Sequence, residues 1–262
     1  MRVEVALCQA RPAPGDPEFN AEAVSRSIMS EEADVLIYPE GYLTGYGVSP
    51  EGLEEEINAG VHKISDLCRK FDKAVALGTA RMSPRGPVNS LLFLSPDGDT
   101  AYDKTHLAKF GIYSEDGFVP GDRAGMGSYH GLRFGLCICY DIYFPEILHG
   151  CSLRGADVNV CISAAAVQSS SCFDKVLPAR ALENVTYLAF VNNVGENPSS
   201  GLRMAGCSRA LSPLGDTLVQ CSGDSEEVAR FTVNTEELAR TRGIRRHLAD
   251  FRRDVNWLGQ NF

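Results

Sequence analysis

Short runs of β-branched and aromatic residues alternate with stretches of helical periodicity along nearly the whole chain, and this alternation restricts the fold to a sheet covered by helices. Val3 to Gln9 reads as a strand, Ala21, Val24 and Ile28 form a stripe at helical period, and Asp34 to Tyr38 is a strand again. Leu53, Ile57, Val61, Ile64, Leu67, Cys68 and Phe71 recur at helical spacing and lead into a strand over Ala74 to Thr79. Further strands are read over Arg133 to Cys139, Asp157 to Ile162 and Thr186 to Asn192, with helices over Pro145 to Leu153 and Asp174 to Asn184 between them.

Two segments break the alternation. Leu91 to Tyr102 and Arg209 to Val219 each hold a Pro-x-Gly turn between strand-like runs with no room for a helix, which is the pattern of a hairpin. The turns themselves, Leu94 to Thr100 and Leu211 to Thr217, are identical at every position but the fourth. Ser-Pro-x-Gly-Asp suits a turn on its own account; a true internal repeat would instead make the fold two β-rich halves facing each other, with helices outside. No Gly/Ser linker or break in composition divides the chain, so residues 1–262 read as one domain.

Composition bears on partners rather than on fold. With 44% hydrophobic and 23% charged residues, the 262-residue chain can bury a sizeable core. Lys plus Arg number 25 against 34 Asp plus Glu, a net charge of −9 that argues against a nucleic-acid partner held by phosphate neutralisation. The basic cluster Arg242, Arg245, Arg246, Arg252 and Arg253 is a local exception, read as a solvated or subunit-contacting tail over about 242–262. Nine cysteines, an odd number scattered through apolar runs, fit reduced thiols in a cytoplasm better than a disulfide framework. They lack the paired C-x-x-C spacings of a zinc site, so no metal is expected. No segment approaches the roughly 18 uninterrupted apolar residues of a membrane span. Phosphate-cradling motifs are absent as well, since Gly125 to His130 lacks the third glycine of the dinucleotide fingerprint.

What remains is a set of strand ends carrying reactive side chains, where open α/β sheets place their sites. The strand ending at Tyr38 runs into Pro39-Glu40 and a glycine-punctuated loop, which sets Glu40 at the lip of the sheet or leaves it an exposed acid at a turn. Lys104 follows the first hairpin in Tyr102 to Leu107, with Glu115 downstream; alone, such a lysine is usually a solvated charge. Cys139 ends a strand just before a helix at Pro145, where backbone N–H groups can favour a thiolate and an oxyanion, although a cysteine there is also a common buried apolar residue. Together the three supply a nucleophile, a base to take its proton and a cation to hold the developing oxyanion. A Cys-His pair is the more familiar arrangement, but His149 would lie about a helical turn beyond Glu146, away from the strand end, and His106 is read as a supporting residue.

These residues carry a resemblance. The chain resembles the nitrilase, or carbon–nitrogen hydrolase, superfamily from Val3 to about Asp254. The resemblance is carried by Pro39-Glu40 with Leu43 to Tyr46, Asp103 to Leu107, and Cys139-Tyr140-Asp141 with Phe144-Pro145-Glu146. Ala179 to Asn184, Asn193 to Gly195 and Gly206 to Ser208 support it. It implies an αββα sandwich, a catalytic triad of Glu40, Lys104 and Cys139, a second active-site glutamate at Glu115, and a homodimer or higher homo-oligomer. It also implies hydrolysis of a non-peptide C–N bond in a small amide or carbamoyl compound through a Cys139 thioester, with neither metal nor organic cofactor. The backbone N–H of Tyr140 is expected in the oxyanion site, and Tyr143 and Tyr46 beside the substrate. Asp141 is similar to the amidase and carbamoylase branches, and Tyr143 stands where several branches carry an arginine, which leans towards a neutral or amine-bearing amide unless Arg203 or Arg209 supplies a charge. Two alternatives stand beside this: an acyl-transferring member of the superfamily, and a non-catalytic binding module of the same fold. Loops over Gly47 to Leu53, Ala164 to Cys172 and Glu196 to Arg203 are expected to shape the pocket.

Overall fold

The computed structural model describes residues 1–197 and 201–252. Its elements run β1 (Arg2–Gln9), α1 (Pro17–Ser30), β2 (Val35–Ile37), α2 (Glu54–Phe71), β3 (Ala74–Ser83), β4 (Gly86–Leu94), β5 (Thr100–Asp103), β6 (Gly125–Tyr129) and β7 (Leu132–Ile138). They continue with α3 (Pro145–Leu153), β8 (Val158–Ser163), α4 (Ser170–Asn184), β9 (Tyr187–Asn192), β10 (Val194–Asn197), β11 (Leu202–Ala205), β12 (Arg209–Leu211), β13 (Thr217–Gln220), β14 (Glu227–Asn234) and α5 (Thr235–Ile244). Local chemistry explains several ends. Asp16 caps α1 by accepting from the Phe19 N–H at 3.0 Å, with Pro17 at the first turn. Three glutamates open α2 and Arg69 and Lys70 close it, matching the helix dipole.

Two six-stranded sheets face each other, β14-β1-β2-β3-β4-β5 and β13-β12-β9-β8-β7-β6, with α1 and α2 outside the first and α3 and α4 outside the second. Val5, Leu7, Val35, Ile37 and Phe93 of the first sheet share one apolar cluster with Phe134, Leu136, Val158, Val160 and Ile162 of the second. Ala6, Cys8 and Leu36, one residue out of phase, turn the other way against Val24, Ile28 and Ile64. The fold is therefore the αββα sandwich.

The two sheets repeat each other. Read from β14 and from β6, successive neighbours are antiparallel, parallel, parallel, antiparallel and antiparallel in both. The near-identical turns at Leu94 to Thr100 and Leu211 to Thr217 join β4 to β5 and β12 to β13, the same place in each sheet. Their likeness thus goes with an equivalent position, beyond what turn chemistry alone requires.

Some sequence readings need correction. The strand read as ending at Cys139 stops at Ile138, because Cys139 turns into a left-handed conformation at φ +47° and opens a 3-10 turn over Cys139–Tyr143. Strands β6, β10, β11 and β14 were not read from the pattern. In the basic tail, Arg242 is no free charge: it bonds Asp157 at 3.1 Å, the Val185 carbonyl at 3.1 Å and the Ala156 carbonyl at 2.6 Å, tying α5 to the second sheet. The rest of the expected tail, from Arg253 on, lies outside the described residues. Among those described, no helix is long and apolar enough to cross a membrane.

Candidate active site

Glu40 follows β2, Lys104 follows β5 and Cys139 follows β7, and the facing of the two sheets brings these three strand ends together. Glycine makes the approach possible at two of them. A Cβ on Gly78 of β3 would stand 2.3 Å from the Pro39 carbonyl and 2.7 Å from Glu40 Cα, and one on Gly121 would stand 2.1 Å from the Asp103 carbonyl, next to Lys104.

Lys104 is 1% exposed, an extreme burial for a lysine, and it is paired on both sides. Its Nζ donates to Glu40 Oε1 at 2.8 Å and to Glu115 Oε1 at 3.0 Å. Asn89 of β4 crosses the pair, donating at 2.8 Å to each carboxylate. The Ala164 N–H holds Glu40 Oε2 at 2.8 Å, and the Ala108 N–H holds Glu115 Oε2 at 2.6 Å. An ammonium has three N–H donors, so two carboxylates leave one for a further acceptor.

Burial sets the protonation of this cluster. Desolvation raises the Glu40 carboxyl above its usual range; Lys104 opposes the rise and the Glu115 charge adds to it. Desolvation works against the Lys104 ammonium, but Glu40 and Glu115 outweigh it and hold the group well above its usual 10.5. Cys139 is pushed well above 9.0 by burial and then by the Glu40 charge, with Lys104 pulling the other way. The turn therefore does not present a resting thiolate. Cys139 keeps its proton until a base removes it.

Asp141, fully buried, links the lysine segment to the cysteine turn. Its Oδ2 accepts from the Tyr102 hydroxyl at 2.7 Å and the Ile138 N–H at 3.1 Å, and its Oδ1 from Thr105 Oγ1 at 3.0 Å and the His106 N–H at 2.9 Å. The donors flank Lys104 on one side and Cys139 on the other, so one carboxylate fixes the distance between them. His106 stacks on Phe144 at 3.6 Å between centroids, consistent with a supporting place. His149 bonds Asn184 at 2.9 Å, away from the site.

A cavity of about 390 Å³ opens on Cys139. Its wall includes Tyr140 and Tyr143 from the cysteine turn, Phe110 and Tyr113 from the segment after Lys104, and Phe173 of α4. Gln168, Ser169 and Cys172 complete the side formed by the expected 164–172 loop. Among the described residues, none from the other two expected loops lines it, and residues 198–200 lie outside those described. Tyr46 does not line it either but lies beside the buried cluster, within reach of the charges of Glu40, Lys104 and Glu115, and borders two small pockets of about 20 and 10 Å³, the second of which it shares with Glu115 and Asn89. Arg209 is engaged by Asp174 at 2.7 Å, and Arg203 is exposed on β11, so neither brings a charge to the cavity wall.

The model of the carbon-nitrogen hydrolase family matches residues 4–243. The chain belongs to the carbon-nitrogen hydrolase family. It is an enzyme of that family, and its relatives include proteins named amidases, a hydrolase and a nitrilase. One relative, an (R)-stereoselective amidase from Pseudomonas sp, is 30% identical over 228 residues, covering 85% of this chain and 82% of that protein. A 2-oxoglutaramate amidase from Bacillus subtilis is 27% identical over 232 residues, covering 86% and 88%. The crystal structure of a CN-hydrolase superfamily protein from Xanthomonas campestris has a TM-score of 0.85 at 24% identity, covering 96% and 98%.

For this carbon-nitrogen hydrolase the strand ends point to Glu40, Lys104 and Cys139 and the family resemblance adds Glu115, and the structure groups Glu40, Lys104 and Glu115 in one buried cluster whose charges reach Cys139. The sequence did not point to Asn89, to the Ala164 N–H, or to the linking part taken by Asp141. A polar Asn89 ahead of the apolar run Leu91 to Leu94 was the available signal for the first. The other two arise from tertiary contacts that leave no local trace.

Proposed function

We propose that this enzyme hydrolyses a small amide with a neutral acyl group through a thioester on Cys139. The observation that carries the reading is the buried Lys104 held between Glu40 and Glu115, next to a cysteine in a left-handed turn at the floor of a cavity. Glu40 removes the thiol proton as Sγ attacks the carbonyl carbon. The tetrahedral oxyanion is taken by the remaining Lys104 N–H and by the Tyr140 N–H, which lies at the start of a 3-10 turn where no partner exists within the turn. As the C–N bond breaks, Glu40 returns the proton to the departing nitrogen, and ammonia or an amine leaves. Glu40 then takes a proton from water as the water oxygen attacks the thioester. Collapse releases the acid and returns the proton to Cys139. Glu115 holds Lys104 and, through Asn89, Glu40 in place.

Carboxylate-bearing acyl groups fit less well, because none of the described residues lining the cavity is charged. Ammonia release from small neutral amides tests the reading: Cys139→Ala and Glu40→Gln should each abolish it at unchanged secondary structure. Retained release in Cys139→Ala would overturn it. Accumulation of an acyl-amine instead of free acid would mark an acyl transferase.

A further inference from the structure

The aromatic rings of the cavity wall form a continuous arc. Between centroids, Tyr113 stands 5.7 Å from Phe110, Phe110 4.7 Å from Tyr140, Tyr140 5.8 Å from Tyr143, and Tyr143 5.8 Å from Phe173. Every spacing lies in the range of favourable ring pairs. All five rings line the same cavity as the Cys139 sulfur.

The polar groups on this arc are few and partly committed. The Tyr113 hydroxyl is 3.0 Å from Ser169 Oγ and accepts the Ala166 N–H at 3.0 Å, which leaves its ring as the surface it offers. The carboxylates that might draw an ammonium group, Glu40 and Glu115, are already compensated by Lys104 and buried. Within the arc, between Tyr113 and Tyr140, Phe110 is 48% exposed, an aromatic ring left in contact with solvent beside a cavity of about 390 Å³. A one- or two-carbon acyl group would leave most of that volume to water against ring faces, which water solvates poorly.

We propose that the acyl group accepted here carries a flat apolar ring, making arylacetamide-type primary amides the substrate class. The ring lies on the cavity side of Phe110, Tyr140 and Tyr143, which already touch one another, while the amide carbon meets Cys139. This inference rests on the Cys139 thioester reading. Its selectivity comes from apolar area buried in the transition state and from ring-to-ring contact, both lost when the acyl group is short.

The test measures kcat/KM by ammonia release from the full chain with four probes: phenylacetamide, propionamide, succinamic acid and β-alaninamide. The same reactions are quenched for intact-protein mass. Phenylacetamide should exceed propionamide by about tenfold or more, the scale on which apolar pockets discriminate. Phe110→Ala, at an exposed position where the fold tolerates the change, should bring that ratio close to one, and Phe110→Tyr should preserve it. A phenylacetamide preference unchanged in Phe110→Ala would overturn the proposal, as would a preference for propionamide. So would a preference for β-alaninamide, which would make the arc a cation–π site, or one for succinamic acid. The mass readout separates the two levels: a propionyl adduct on the wild type that is absent from Cys139→Ala upholds the thioester even where ring selectivity fails. No adduct and no ammonia from any probe would overturn both.

Discussion

Removing an ammonium from water costs several kcal/mol, and Lys104 is tolerated in the interior because Glu40 and Glu115 are arranged around it. Lys104→Met should therefore lose stability as well as activity, by roughly 3–5 kcal/mol, because it strands two buried carboxylates; chemical denaturation reads the loss. The pH dependence of that loss has a definite sign. The Lys104 pKa is raised on folding, so its contribution is fully present below 10.5 and disappears only as pH rises through the higher folded value. Without the ammonium the stranded Glu40 carboxyl binds its proton more tightly still, so the gap between wild type and Lys104→Met should narrow as pH falls and widen as pH rises through neutral. Glu40 is raised as well, so acid favours its folded, protonated form and removes activity before it removes structure. The acid limb of kcat/KM should accordingly sit above the ordinary glutamate value of 4.5; a limb at that value would show a base outside the buried cluster. Asp141→Asn keeps the shape but replaces an acceptor with a donor facing N–H and O–H groups. Its kcat should fall about ten- to hundredfold through misplacement of Lys104 against Cys139, with KM little changed.

At the scale of elements, β3 passes so close under the Glu40 turn that only glycine fits at position 78. Gly78→Ala should push the Pro39–Gly41 backbone and cost about 1–3 kcal/mol. Its activity should fall further than that of a Gly150→Ala control, whose Cβ meets nothing within 4 Å and whose backbone is helical. The strands that the pattern revealed are mostly apolar and almost wholly buried, such as β1, β7, β8 and β9. Strand β6 was hidden because Gly125 and Gly127 interrupt its pattern. They are there because Cβ atoms would collide with the Tyr102 Cβ and the Phe93 ring, at 2.5 and 2.3 Å. Strand β14 buries Phe231 and Val233 but exposes Val228, so its alternation is broken where it pairs with β1 at the sheet edge. The cavity was the least legible part. Phe110, Tyr113 and Phe173 lie on a loop and a helix whose meeting with the cysteine turn is decided by packing of the second sheet, which no local period encodes.

Across the whole molecule, the site sits where the parallel strands of the two matching sheets end. Glu40 after β2 accepts from the Ala164 N–H after β8, and the Glu40 carbonyl accepts from Asn193 after β9 at 2.8 Å. Neither half contains a site: the base and the ammonium come from one sheet and the nucleophile from the other. The Glu40, Lys104 and Cys139 positions were readable as strand ends because that is a topological property. Their convergence follows from the facing of the sheets, which the repeated hairpin hinted at. The most direct test of the account is the intact mass of the enzyme quenched during turnover of a slow neutral amide. The account predicts a mass increase equal to the acyl group, substrate less ammonia, on wild type and none on Cys139→Ala. Steady ammonia release with no adduct, persisting in Cys139→Ala, would contradict it.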